Sequence, residues 1–137
     1  MSSARPTLSS EAARAIVDAA IADASVPVTV VAVDESGVMK AMLRMDGAPL
    51  VSVQTAINKA YAAAAIGMPP DDFYAAIESD GAAVVEFATR PGLALIAGGL
   101  PVIEDGSVAG AIGVAGAMTG AQDRAIAEAG IATLGPR

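Results

Sequence analysis

At 137 residues the chain is one domain long, and its net charge of -7, with eight scattered basic residues, leaves no Lys/Arg cluster to track phosphates, so nucleic acid is excluded as a partner. It contains no cysteine and no histidine, which removes disulfides, thiolate and imidazole metal sites, Cys nucleophiles and the Ser/His triad. Hydrophobic residues make up 54% and charged residues 17%, a surface short enough of charge to predict a homo-oligomer, while the apolar runs are too short and too broken by Gly and Pro to span a bilayer.

Residues 1–7 read as a loose arm. They lack the apolar core of a signal peptide, so a soluble cytoplasmic protein is expected. A helix follows from about Glu11 to Ala24, with Ser9 or Ser10 as N-cap and Ala13, Ile16, Val17, Ala20 and Ala24 as its apolar stripe. Val28–Asp34 is a short β-branched apolar run, the pattern of a strand covered on both faces. Glu35-Ser36-Gly37 turns the chain and Val38–Leu43 returns as a second strand, predicting a hairpin.

Pro49 suits the first turn of a second helix, Leu50 to Ile66, whose second half is nearly pure alanine and admits a close neighbour. Gly67-Met68-Pro69-Pro70 stops it. Asp71–Ser79 reads as a short helix with two acids in its first turn, and Ala82–Ala88 as one further helical turn ended by Arg90-Pro91-Gly92. Leu93–Ala97 reads as a strand, and Gly98-Gly99 as a bend or bulge. Leu100–Glu104 and Val108–Val114 form a hairpin about Asp105-Gly106. Along the last strand one face is small (Ala109, Ala111, Gly113, Ala115) and the other mostly large (Val108, Gly110, Ile112, Val114). The small face requires close cover, by a helix or by a flat ligand. Thr119 to Gln122 has capping-box spacing and opens a last helix to about Ala129. The expected fold is α+β: one domain over 1–137, a roughly five-stranded, largely antiparallel sheet flanked by helices, in the order α-β-β-α-α-β-β-β-α.

Glycine spacing in Gly110–Gly120 fits neither GxGxxG nor GxxxxGK[ST], which excludes the two standard nucleotide cradles. Gly116 to Gly120 still leads into a helix N-terminus, where free N–H groups bind a carboxylate or phosphate, or are simply capped by Thr119 and Gln122. Arg44 and Asp46 lie at a strand-to-helix junction. Arg44 there grips a ligand carboxylate or fixes its own loop; Asp46 acts as a base or holds Arg44. Lys59, one of two lysines, sits in an apolar helix, the setting of a catalytic lysine or of one paired with a buried acid. Asp34, Asp123 and Glu128 read as turn or helix-surface groups.

Several blocks in order resemble one family: Val31-Ala32-Val33-Asp34 with Gly37, Arg44-Met45-Asp46-Gly47-Ala48, Asn58-Lys59-Ala60-Tyr61, Arg90-Pro91-Gly92, Gly98-Gly99-Leu100-Pro101-Val102, Gly110-Ala111-Ile112-Gly113-Val114 and Gln122-Asp123. Together they resemble the GlcG/HbpS-like family, which includes the C-terminal domain of PduO-type proteins and is often labelled heme-binding or heme-degrading. The resemblance implies a compact α+β domain, dimers or larger oligomers, and a small-molecule or heme pocket at a subunit surface. The chain departs from the family's GVSGG segment with Gly113-Val114-Ala115-Gly116-Ala117. Without histidine, only Met, Tyr, Lys or an oxygen donor is left to bind iron.

Two functions follow as expectations. One is a heme- or small-molecule-binding protein accessory to a metabolic pathway, with ligand contacts at Arg44, Gly113, Gly116, Thr119 and Gly120. The alternative is an enzyme on a small carboxylate or carbonyl metabolite, with Arg44 anchoring the anion and Lys59 or Asp46 moving a proton. No metal site is expected.

Overall fold

The computed structural model describes residues 5–136. Its elements are α1 (Ser10–Asp23), β1 (Thr29–Asp34), β2 (Met39–Arg44), α2 (Val51–Ile66), α3 (Pro70–Ile77), α4 (Gly81–Ala88), β3 (Gly99–Glu104), β4 (Ser107–Ala115) and α5 (Gly120–Ala132). The strands form one antiparallel sheet in the order β2-β1-β4-β3. The β-branched run of β1 is central and buried, as a strand covered on both faces must be.

Two layers cover the sheet. Ile16, Val17 and Ala20 of α1, with Ile126 and Ala127 of α5, pack on the face that carries Val30, Leu100, Val102, Ile112 and Val114. Ala56, Ala60, Ala63 and Ala64 of α2 pack on the opposite face, against Val31, Val33, Ala111 and Ala115. The small face of β4 is therefore covered by a helix, and the alanines of α2 are what allow the approach. A bulge between Val102 and Ile103 shifts the register, so Ala109 joins the α1/α5 side and Val108 the α2 side. Simple alternation along β4 fails at that point. The Asp105-Gly106 hairpin has both residues at positive φ, 51° and 76°, the conformation a two-residue turn requires.

The sheet has four strands where about five were expected. Leu93–Ala97 is irregular, so the order is α-β-β-α-α-α-β-β-α. An apolar run becomes a strand only where it meets a ladder partner, and here pairing with β4 starts at Gly99. Gly98, at φ 127°, turns the chain into the sheet, and Val114 N–H donates to its carbonyl (2.9 Å). The expected single turn at Ala82–Ala88 is a full two-turn helix, α4, capped by Asp80, whose carboxylate accepts from Ala83 N–H. Of the predicted arm, residues 1–4 lie outside the described residues. Thr7 is anchored, its hydroxyl donating to Glu35 (2.6 Å), and Leu8 N–H donates to Ala109 O (2.8 Å).

Candidate functional site

Two regions gather charged or aromatic side chains. The first is built around Lys59. Its side chain is 2% exposed, and its ammonium donates to Val114 O (2.9 Å) and to Asp123 Oδ2 (3.0 Å). Asp123 Oδ1 accepts from Ala117 N–H (3.0 Å). One buried ion pair thus joins α2, the end of β4 and α5. A buried charge is tolerated only when paired and hydrogen-bonded, and both conditions are met here. Gly98 makes room for it: a Cβ there would stand 2.4 Å from Val114 O and 2.8 Å from Lys59 Nζ.

Asp123 is therefore buried, not a helix-surface group. The signal was present in the sequence. Asp123, Ile126, Ala127 and Gly130 fall on one helical stripe, and all four are buried. An apolar helix holding a lone lysine also demands a buried acid elsewhere. Asp34 is a turn group, accepting from Ser36 and Val38 N–H (2.9 and 3.1 Å), and Glu128 is exposed.

The glycine-rich run surrounds this pair. A Cβ on Gly113 would lie 2.2 Å from Ala56 O, so α2 occupies the space beside it. Gly116, at φ 124°, faces Pro27 and Val28, and Gly120 abuts Ala97. At the start of α5, Thr119 Oγ1 accepts from Gln122 N–H and Gln122 Oε1 accepts from Thr119 N–H, a complete capping box. With Asp123 on Ala117 N–H, the chain's own side chains hold these three donors.

Arg44 lies at the end of the edge strand β2, exposed, and its guanidinium donates through Nε and Nη2 to Ala48 O (3.2 and 2.8 Å). Asp46 is exposed in the same loop. Lys59 is buried against Asp123 and Val114 instead. Arg44 and Lys59 thus take separate partners, and Arg44 and Asp46 are exposed where Lys59 is buried.

The second region is a groove of about 320 Å³ at the corner of α2, α3 and α4. Tyr61, Ala65 and Ile66 come from α2, Phe73 from α3, Phe87 from α4, and Arg90, Pro91 and Leu93 from the turn beyond. Phe73 and Phe87 meet edge to face at 5.1 Å. The Arg90 guanidinium stands 4.8 Å over the Phe87 ring and pairs with Glu86 one turn back. The Tyr61 ring lies close to Gly37, at φ 79°, where a Cβ would come within 2.7 Å of it; a Cβ on Gly92, on the other side, would stand at an ordinary 3.9 Å. Arg124 of α5 holds α3 in place through Asp71 (2.8 Å) and Asp72 (2.9 Å). Hydrogen bonds to Asp72 and Asp71 raise its pKa further above the ordinary arginine value.

Tyr61 and Arg90 lie in the family-like blocks of the sequence, without a role there, and Phe73 and Phe87 lie in none of them. A signal existed here too. The chain has four aromatic residues, and three of them, distant in sequence, line this one groove. Among the described residues no group of three or more acidic side chains gathers to hold a metal ion. No helix is long and apolar enough to cross a membrane among the same residues.

Among the described residues the fold is a four-stranded α+β sheet with an aromatic groove at the corner of α2, α3 and α4. The chain belongs to the family described as "Haem degrading protein HbpS-like", which it matches over residues 8–132. It is 36% identical over 114 residues to an uncharacterized 15.0 kDa protein of the dhaT-dhaS intergenic region of Citrobacter freundii, covering 82% of this chain and 79% of that one. A double mutant of HbpS from Streptomyces reticuli superposes with a TM-score of 0.89 at 33% identity, covering 98% of this chain and 92% of that one. The PduOC:heme complex superposes with a TM-score of 0.85 at 28% identity, covering 94% and 96%.

Proposed function

We propose that this protein binds heme or a closely related flat, carboxylated ring in the groove between α2, α3 and α4, as an accessory to a metabolic pathway. The groove carries this reading. Its walls are Phe73, Phe87, Ile66 and Leu93, which suit an apolar face, and Arg90 stands among them as the cation for a carboxylate. In a chain of net charge -7 a dianionic ligand needs such a local cation. The solved heme complex of PduOC, similar over nearly the whole chain, supports the ligand class. A bound heme would supply iron redox chemistry that these side chains lack. The side chains bind the ring, orient its carboxylates and exclude water from its faces.

At about 320 Å³ the groove sits at the lower end of ligand pockets, so it grips part of a macrocycle and leaves the rest for other cover. A second copy of the chain supplies that cover in this reading. The unpaired outer edge of β2 and the exposed Met39, Met42, Leu50 and Val51 support self-association.

Titration of the purified protein with hemin, followed at the Soret band, tests the proposal. Saturable binding is expected for the native chain, and a loss of at least about tenfold in affinity for Phe87→Glu, which puts a charge on the groove wall. Absence of saturable binding, or equal affinity in the variant, contradicts it.

A further inference from the structure

We infer that Tyr61 is the protein's ligand to the ferric iron of a ring held in this groove, with Arg90 as the rim cation that receives the ring's carboxylate. The inference rests on the heme reading above and names the donor that reading leaves open.

With neither His nor Cys in the chain, the lone pairs able to reach iron belong to Tyr, Met, Lys, carboxylates or a hydroxyl or amide oxygen. Of the eight residues that line the groove, Tyr61 alone carries such an atom on its side chain, because Arg90 is a donor without a lone pair to offer. Lys59 is two residues away on α2, about 200° around the helix, and is committed to Asp123 and Val114 O. Tyr74 and Met68 are half-exposed and lie outside the lining. Glu86 is held by Arg90.

The Tyr61 ring is also prepared for the role. Gly37 lies close against one edge of the ring, which limits the side-chain freedom lost on ligation. The residue is still 40% exposed, which leaves access from outside. Ligation balances without an oxidant or reductant. The phenol releases its proton to solvent, its oxygen gives a lone pair to the iron, and the iron stays ferric. A hard anionic oxygen favours the ferric over the ferrous state. Arg90 is now shared with Glu86 in an exposed pair, 48% and 64% accessible, of a kind that contributes little. A ring carboxylate displaces Glu86 at small cost.

The test compares the native chain, Tyr61→Phe and Tyr61→His with two probes, ferric hemin and iron-free protoporphyrin IX. Circular dichroism confirms that each variant is folded. In the native chain resonance Raman is expected to show an iron–phenolate vibration and the optical spectrum a high-spin ferric pattern. Tyr61→Phe keeps the ring packing, so protoporphyrin affinity stays within about twofold while hemin affinity falls about tenfold or more and the phenolate vibration disappears. Tyr61→His restores hemin binding with an imidazole-type spectrum. Identical hemin spectra and affinities in the native chain and Tyr61→Phe overturn the assignment of Tyr61 while leaving the groove in place. Failure of the native chain to bind either probe overturns the groove reading itself.

Discussion

The two regions differ first in how tightly they are made. Around Lys59 the chain is packed to backbone contact, with alanines on α2, glycines at 98, 99 and 113, and a buried ion pair tying three elements together. Around Phe87 the helices are short and shallow: α3 buries only Pro70, and α4 buries no residue completely. The first region is closely packed, whereas the second keeps aromatic surface in the open. Lys59, Asp123 and the glycines at 98, 99 and 113 take part in that close packing.

Substitutions separate the two roles. The largest effect is expected from Lys59→Met, which leaves Asp123 buried without its counter-charge and costs about 3–5 kcal/mol of stability. Urea denaturation measures it. Adding Asp123→Leu in the same chain should recover most of the loss, since no unpaired charge is left behind. A catalytic lysine would give the opposite result, a stable protein that has lost activity.

Next is Gly113→Ala. The new methyl must displace α2 from its 2.2 Å approach, at a cost of about 2–3 kcal/mol by overpacking. A lowered denaturation midpoint with the ligand affinity of the remaining folded protein unchanged places Gly113 in the frame. Unchanged stability with lost binding would return it to the ligand site. Smallest in stability is Arg90→Ala, expected to change it by less than about 0.5 kcal/mol because the Glu86 pair is exposed. Its hemin affinity should fall about fivefold to tenfold, with a weaker dependence on salt.

Much of the frame was legible in the sequence. The β1 run, the Asp105-Gly106 turn and the Thr119-Gln122 capping box are local signals, and each fixes its own element. Leu93–Ala97 was misread because strand formation depends on a partner that local sequence does not specify. The bulge that moves Ala109 and Val108 to opposite faces is likewise a property of the β3–β4 pair. The groove was the least legible feature. Tyr61, Phe73 and Phe87 come from three helices, and their meeting follows from the α2–α3–α4 path rather than from any spacing. Asp123 stood in between: its stripe position announced burial, yet its place in the first turn of a helix matched an ordinary surface acid as well.

The division of the molecule into frame and site is tested most directly by amide hydrogen exchange with and without saturating hemin. Protection is expected to rise in α3, α4 and the Arg90-Pro91-Gly92 turn, where opening is easiest without ligand, and to stay unchanged through Gly113–Asp123 and Arg44–Ala48. New protection confined to Gly113–Asp123 or Arg44–Ala48, with the α3–α4 corner unaltered, would contradict the account.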